Sequence, residues 1–337
     1  MSLAKILLAK TGLLEPARRI RSAGTRATCV ALHPVRERLT RLPDPWFLMT
    51  SAAPLASPYR EHLEELRRDG VTRLSGQVPP AALAELRGSF EIFVQRLDAA
   101  TATQAAAQGD VTESEEYFDA ASRQYSSNDP FTFSRALLEV CLKPELTSLI
   151  NRYLGKTAYI TQGVALRIGP NPSTGFGSFQ WHHDAWGKRI NMMIVLTEVG
   201  EGDQHMTYAK GSHRLRHTYD KYANSRFSQE EFTQRCSRME ILNCYAKPGD
   251  IYIFDSNGIH SGNRTAGRTR DTFIIEYSRL AHTIWAHRIP PEFLQGFSEK
   301  QLEPLSWMLR QDRSKRALAP AVNSWVGQLL RVDKWLL

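Results

Sequence analysis

The pattern of apolar and polar residues changes near Gly155 and divides the chain into a helical part and a strand-rich part. Before this glycine, apolar residues recur at three- and four-residue steps, which is the spacing of a helix face. The helix that begins at Pro79-Pro80 has one apolar face, made of Leu83, Leu86, Phe90, Phe93 and Leu97. The pattern predicts helices at 59–69, from 80 onward, and at about 132–142 and 145–154, with a short strand at 71–74 and a loop or weak helix at 99–115.

After Gly155 the chain consists of short runs rich in β-branched and aromatic residues, separated by Gly, Pro, Asn and Asp. These runs predict strands at 157–168, 190–197, 205–209, 239–246, 250–255 and 272–278. Many short strands in succession are typical of an antiparallel sandwich or jelly roll. We therefore expect a mainly β fold with flanking helices (α+β) around a double-stranded β-helix (jelly roll) core.

This pattern divides the chain into three segments. We expect residues 1–55 to form a basic helical N-terminal extension, residues 56–288 the jelly-roll domain, and residues 289–337 a helical C-terminal extension. The charged stretch 215–238 interrupts the strands. A long insert between barrel strands is a common place for a lid, and we expect this insert to be mostly helical.

The positive charge of the protein is concentrated at its N-terminus. Of a formal net charge of +8, the first 50 residues contribute six, from nine Lys and Arg against three acidic residues. Such a segment is either a solvated helical face or an attachment to an anionic membrane surface or an acidic partner. No basic run is interleaved with aromatic residues, so we expect no nucleic-acid partner.

The cysteines and the apolar runs favour a cytoplasmic protein. Cys29, Cys141, Cys236 and Cys244 are scattered and form no CxxC pair, which fits a reducing compartment. No segment of the sequence approaches the length of a membrane span, and the apolar run near the start is too short for a secretory signal. The Arg-rich start leaves a transit peptide open.

The stretch Trp181-His182-His183-Asp184 carries the candidate chemistry. On an extended segment, side chains two residues apart point the same way, so His182 and Asp184 share a side and His183 points to the other. His260 lies 76 residues after Asp184, just beyond a predicted strand. Two histidines and one carboxylate, with the remaining positions open, are the ligand set of non-haem Fe(II) oxygenases.

Arg270 follows His260 by ten residues and enters the last predicted strand. A guanidinium at this place can bind the distal carboxylate of a dicarboxylic keto acid through two hydrogen bonds while the other end of the keto acid chelates the metal. Arg268 has the same strand parity and is an alternative. His205 and His213 are taken as structural, because a cupin-like metal set needs an HxH pair with a following Glu, and neither stretch supplies it.

The order HxD, several strands, His and then Arg resembles the phytanoyl-CoA dioxygenase-like family of Fe(II)/2-oxoglutarate-dependent oxygenases. Three further stretches are similar to that family: Gly211-Ser212-His213, Pro248-Gly249-Asp250 and His260-Ser261-Gly262-Asn263. The resemblance covers roughly residues 59–285 and neither terminal extension.

The resemblance implies roles for individual residues. His182, Asp184 and His260 become the iron ligands, and Arg270 rather than Arg268 the residue that holds 2-oxoglutarate. Two further residues, Phe179 and Asn191, either line the keto-acid pocket or belong to the core, and Arg167 is either a substrate contact or a surface ion pair.

The resemblance also implies a reaction. With Fe(II), 2-oxoglutarate and O2, the expected outcome is hydroxylation of a C–H bond of a small-molecule substrate, with release of succinate and CO2. Desaturation and epimerisation remain open, as does a cupin-like enzyme that uses no keto acid. The alternative from another class is a non-catalytic binding or scaffold protein on the same fold, tethered through its basic N-terminal segment.

Overall fold

The computed structural model describes residues 55–107, 116–119, 123–170, 179–184, 189–215, 225–263, 265, 267–278 and 287–309. The predicted N-terminal extension lies almost wholly outside the described residues. The same holds for residues 216–224 of the lid candidate and for the chain after residue 309. Among the described residues, no helix is long and apolar enough to cross a membrane.

In the part of the chain that the structure describes, four helices precede the main run of strands. Helix α1 (Ser57–Asp69) ends at Gly70, whose φ of 79° gives the left-handed conformation that glycine adopts easily. After strand β1 (Val71–Leu74) comes α2 (Pro80–Ala107), followed by α3 (Arg135–Cys141) and α4 (Pro144–Leu154). Of the two alternatives for 99–115, loop or weak helix, the first part is helical, because α2 continues to Ala107 through a run of alanines, the strongest helix formers; residues 108–115 lie outside the described residues.

Within the described ranges, ten strands form two antiparallel sheets. They are β1, β2 (Glu116–Asp119), β3 (Gln124–Ser127), β4 (Tyr159–Ile168), β5 (Arg189–Val195), β6 (Met206–Ala209), β7 (Ile241–Cys244), β8 (Ile251–Asp255), β9 (His260–Gly262) and β10 (Arg270–Ser278). The larger sheet has seven strands in the order β1-β8-β5-β10-β4-β3-β2, and the smaller has three in the order β7-β6-β9. The predicted jelly roll is confirmed. The β2–β3 hairpin and β9 were not predicted as strands.

The two faces of the seven-stranded sheet contact different partners. On its outer face, residues such as Phe273, Ile275 and Tyr277 belong to the large core that the helices cover. On its inner face, Ile274 packs into a second core with Tyr208 of the small sheet. Successive residues of β10 therefore point alternately towards the helices and towards the space between the sheets.

The helical segments that the structure describes after β6 are short. Within the predicted insert, α5 (Gln229–Cys236) begins at a capping box made by Ser228 and Glu231. After Pro290 the chain forms 3-10 turns at Pro291–Leu294 and Glu303–Leu305 and the short helices α6 (Glu299–Leu302) and α7 (Ser306–Leu309). Trp307 stacks on Tyr159 with 4.4 Å between ring centroids, so this segment packs against the start of β4.

Candidate metal centre

His182, Asp184 and His260 come together between the two sheets. His182 pairs with His260 through two backbone hydrogen bonds, from His182 N to His260 O (2.9 Å) and from His260 N to His182 O (2.8 Å). The segment around His182 thus continues the small sheet beyond β9 and brings two distant parts of the sequence side by side. One ligand atom from each of the three residues lies within 4.8 Å of the other two.

Both imidazoles are turned so that Nε2 faces the carboxylate. Nδ1 of His182 lies 2.7 Å from the carbonyl oxygen of Gln180, and Nδ1 of His260 lies 2.9 Å from that of Gly258. A carbonyl oxygen only accepts, so each Nδ1 carries a proton, and Nε2 is the nitrogen whose lone pair becomes available when the ring is neutral. The Nε2 atoms lie 3.3 and 3.5 Å from the two oxygens of Asp184. This is the orientation that a histidine needs to bind a metal through Nε2.

The three groups strongly perturb each other's proton affinity. Burial alone would raise the pKa of Asp184, but the charge of His260 and hydrogen bonds from both imidazoles outweigh it and hold this pKa well below its usual range. Burial lowers the pKa of His182, and the neighbouring His260 lowers it further. For His260 the carboxylate of Asp184 outweighs burial and raises the pKa. The set is therefore an anion facing imidazole nitrogens, an arrangement that a divalent cation stabilises.

Asn191 supports the carboxylate from β5. Its Nδ2 donates a hydrogen bond of 3.0 Å to Oδ2 of Asp184, so the amide fixes the orientation of the candidate ligand. We predicted this residue in the keto-acid pocket or the core, and it lies on the inner face beside the metal set. Phe179, the other residue of that prediction, is half-buried, and its carbonyl accepts a hydrogen bond from Ser261 Oγ at 3.0 Å.

The two candidate arginines lie in different environments. Arg268 is 58% exposed, and its guanidinium pairs with Asp203 at 2.7 Å and with Glu198 at 3.1 Å. Arg270 begins β10, is 5% exposed, and shares the inner face with Thr272 and Ile274. Its positive charge acts on the thiol of Cys244 in the small sheet, a group whose pKa burial raises to about 12. Arg270 thus faces the space between the sheets, as a keto-acid ligand must.

Thr272 is an inner-face residue that we did not predict. Its side chain is fully buried, and its hydroxyl has no hydrogen-bond partner among the described residues. A buried hydroxyl without a partner costs free energy, so it needs either a ligand or a water. The available sequence signal was its spacing, because a residue two positions after Arg270 on a strand points to the same side.

Tyr208 is another residue of this region that we did not predict as part of the site. Its ring lies nearly parallel to that of His260, with 6.2 Å between centroids, and its hydroxyl donates to the carbonyl of Asp255 at 2.9 Å. A Cβ atom at Gly258 would lie 1.8 Å from this hydroxyl oxygen, so only glycine fits there. Gly258 in turn supplies the carbonyl that orients His260.

The remaining candidates of this region are held by structural contacts. His183 is buried on the opposite side from His182 and lies near the ring of Phe227. His205 bonds to the carbonyl of Asp203 through Nδ1 and to the amide of Asn263 through Nε2. Arg167 points to the outer face, where it pairs with Asp271 and Glu91, both at 2.8 Å. Of the two alternatives for Arg167, the structure therefore shows an ion pair.

Residues 66–271 match the sequence model of the family described as phytanoyl-CoA dioxygenase (PhyH). The match covers more than half of the chain and includes the three clustered residues and Arg270. A comparison with curated proteins found no match.

Several solved structures are similar to this chain. EctD from S. alaskensis with bound Fe is 20% identical with a TM-score of 0.51, over 72% of this chain and 82% of that chain. AviO1 from Streptomyces viridochromogenes Tue57 is 18% identical with a TM-score of 0.49, over 71% and 99%. The epimerase SnoN in complex with Fe3+, alpha ketoglutarate and nogalamycin RO is 18% identical with a TM-score of 0.48, over 72% and 91%. At 20% identity, the likeness to EctD concerns the fold alone.

Proposed function

The chain belongs to the phytanoyl-CoA dioxygenase family of Fe(II)/2-oxoglutarate-dependent oxygenases, and on this premise we propose that it hydroxylates a C–H bond of a small molecule. Succinate and CO2 are the expected coproducts. One observation carries the proposal. The Nε2 atoms of His182 and His260 both face the carboxylate of Asp184, so that three possible ligand atoms lie close together.

His182, Asp184 and His260 are the proposed iron ligands. Two neutral imidazole nitrogens and one carboxylate are a donor set that fits Fe(II), and these three residues would hold it. When bound, the iron and the keto acid would together supply the electrons that reduce and thereby activate dioxygen. Asn191 holds the carboxylate of Asp184 in place, and the carbonyls of Gln180 and Gly258 hold the imidazoles.

Arg270 is the proposed anchor for the distal carboxylate of 2-oxoglutarate. Its guanidinium is buried on the inner face, where an ion pair with a carboxylate is weakly screened. The hydroxyl of Thr272 lies on the same face two residues nearer the middle of β10, and it is the proposed second donor to this carboxylate. Met193 and Val195 of β5 share this face and exclude water from the bound keto acid.

The test is an anaerobic Fe(II) titration with and without 2-oxoglutarate. We expect the visible charge-transfer band of the chelated keto acid, its loss in His260→Ala, and its retention in His62→Ala, which alters a helix α1 histidine that bonds to Thr72. Succinate release then serves to screen substrates. If folded, metal-loaded protein shows no band, the oxygenase proposal fails and a non-catalytic binding protein is the better hypothesis.

A further inference from the structure

The segment between β5 and β6 contains three consecutive buried polar residues, Asp203, Gln204 and His205, which are 5%, 0% and 4% exposed. This segment is named the buried polar turn. Polar side chains are rarely buried to this extent unless each has hydrogen-bond partners. Each of the three bonds to a different residue of the connection between β9 and β10, which joins the proposed iron ligand His260 to Arg270.

Asp203 and Gln204 hold the backbone of this connection. The carboxylate of Asp203 accepts a hydrogen bond of 2.9 Å from the backbone N–H of Arg268, two residues before Arg270. The side-chain amide of Gln204 donates to the carbonyl of Thr265 at 2.6 Å and to its hydroxyl at 2.9 Å. The amide oxygen of Gln204 accepts from the Thr265 N–H at 3.3 Å. The path of the connection is therefore fixed by side chains of the buried polar turn.

His205 holds the other end of the connection, just after β9. Its Nδ1 donates to the carbonyl of Asp203 at 2.9 Å, so its Nε2 accepts from the side-chain amide of Asn263 at 3.0 Å. The N–H of Asn263 also donates to the His205 carbonyl at 2.7 Å. Between these ends, a Cβ atom at Gly267 would overlap the carbonyl oxygen of Gly202, so the connection lies directly against the chain beside the buried polar turn.

Strand pairing holds the start of β10 mainly from one side. The ladder between β10 and β4 begins at Arg270, whereas the ladder between β10 and β5 begins at Thr272. On the β5 side, the N–H of Asp271 donates to the Thr197 hydroxyl at 3.1 Å. Before Arg270, this side of the chain is held by the bond from Arg268 to the buried polar turn. The turn therefore supports the proposed keto-acid anchor where the regular sheet has not yet begun.

The length of the keto acid gives these contacts a function. In the proposed function, one 2-oxoglutarate molecule reaches from the iron ligands to Arg270, and a site whose two ends are held apart at a fixed distance loses little freedom on binding and fits one length of ligand. We infer that Asp203, Gln204 and His205 are positioning residues, which fix the separation between the iron site and Arg270 and thereby select a five-carbon keto acid. The inference rests on the proposed function for the identity of both ends.

Thr265→Val tests the inference with little change to the fold, because valine keeps the shape of this half-buried side chain. The variant removes the hydroxyl that accepts from Gln204 at 2.9 Å and from the Gly267 N–H at 3.1 Å. The measurement is anaerobic titration of the charge-transfer band of the Fe(II) protein with 2-oxoglutarate and with 2-oxoadipate, which is one methylene longer. The wild type should prefer 2-oxoglutarate by at least about tenfold, the usual effect of one misplaced methylene.

In Thr265→Val, the affinity for 2-oxoglutarate should fall about fivefold, the equivalent of about one hydrogen bond. The preference over 2-oxoadipate should shrink by a similar factor, because a less fixed separation penalises the longer chain less. Thr265→Ser, which keeps the hydroxyl, should restore both the affinity and the preference.

Gln204→Ala removes all three bonds to Thr265 and should reduce both quantities further, with a loss of 2-oxoglutarate affinity of at least about tenfold. Glu198→Ala is the matched control. Glu198 pairs only with the exposed guanidinium of Arg268, at 3.1 Å, and the backbone N–H of Arg268 stays bonded to the buried polar turn, so neither quantity should change.

The two keto acids keep a loss of folding apart from a loss of positioning, because partial unfolding weakens the binding of both in equal proportion. Equal proportional losses, unchanged binding in Thr265→Val and Gln204→Ala, or a wild type that binds both keto acids equally would overturn the positioning role while the oxygenase proposal stands. Absence of the band in the wild type would overturn the oxygenase proposal, and the positioning role with it.

Discussion

The outer and inner faces of the seven-stranded sheet use the same strands for different purposes. On β10 the outer residues Phe273, Ile275 and Tyr277 are at most 1% exposed and pack under the helices. The inner residues Arg270, Thr272 and Glu276 alternate with them and face the space beside the metal set. The two-residue period of a strand thus separates stability from chemistry along a single segment.

Polar groups show the same difference. On the outer face they bond within the protein, as when the Tyr277 hydroxyl donates to the Cys141 carbonyl at 2.8 Å, or when Arg167 pairs with Asp271. On the inner face, the Nε2 atoms of His182 and His260 and the Thr272 hydroxyl point to where ligands would lie. Substitutions of adjacent residues should therefore affect either the fold or the ligands, and rarely both.

Phe273→Ala should destabilise the packing on the outer face, and we expect this to be the largest of the effects. Phe273 is fully buried and makes edge contacts with Phe90 and Phe133, at centroid distances of 5.5 and 5.6 Å. Its truncation leaves a cavity, and we expect the free energy of unfolding to fall by about 3–5 kcal/mol. Denaturant unfolding measures this. At low denaturant the folded fraction should still bind metal, and a loss below about 1 kcal/mol would show that the core does not depend on this ring.

Arg270→Gln should weaken the binding of 2-oxoglutarate at the inner face. Removing one partner of a buried charge pair costs about 2–5 kcal/mol, so the affinity for 2-oxoglutarate should fall at least about 30-fold, as a keto-acid titration of the charge-transfer band would show. Unfolding should change far less than in Phe273→Ala. Arg268→Gln is the matched control, because its exposed ion pair should not influence keto-acid affinity. Equal losses in both variants would mean that Arg270 is not the anchor.

This division between faces was partly readable from the sequence. The alternation of β10 and the HxD spacing of His182 and Asp184 predicted which side chains share a face, because strand parity is a local property. The different environments of Arg268 and Arg270 could not be predicted locally. Arg268 pairs with Asp203 and Glu198, which are distant in the sequence, and this supports the proposal that Arg270 is the anchor.

Other features of the fold and the site depend on contacts that cannot be predicted from a local sequence pattern. The β2–β3 hairpin is two short strands of mixed polarity, stabilised by pairing with β4. The orienting role of Gln180 and Gly258 is exerted through backbone carbonyls, which every residue type possesses. We predicted Asn191 in the keto-acid pocket or in the core, and its contact with Asp184 follows from how β5 meets the segment after His182.

Asn191→Ala alters the inner face but keeps all three proposed iron ligands, so it tests how much the support of Asp184 contributes to metal binding. Loss of a group that orients a metal ligand typically weakens metal affinity by about 10–100-fold. Anaerobic Fe(II) titration measures this, and Asn243→Ala, on the exposed side of β7, is the control. Metal affinity within twofold of the wild type would mean that Asp184 needs no support from β5.

Change of pH should act on the inner face through His260. In the metal-free protein Asp184 raises the pKa of this imidazole, and a metal must displace the proton. Fe(II) affinity should therefore fall by up to about tenfold per pH unit as pH drops through that pKa. Stability runs the other way. The contribution of protonated His260 to the metal-free fold is present below its unfolded pKa and is lost as pH rises through the folded value. Titrations and unfolding at several pH values would test both signs.

Thr272→Val gives the smallest effect and the finest test, because Thr272 and Phe273 are adjacent, equally buried and on opposite faces. Valine keeps the shape and removes a hydroxyl that has no partner among the described residues, so the fold should be unaffected or slightly more stable. Keto-acid affinity should fall about fivefold, the equivalent of one hydrogen bond of about 1 kcal/mol. Thr272→Ser should restore it. Unchanged affinity in Thr272→Val would leave Arg270 as the sole proposed anchor and assign the buried hydroxyl to water.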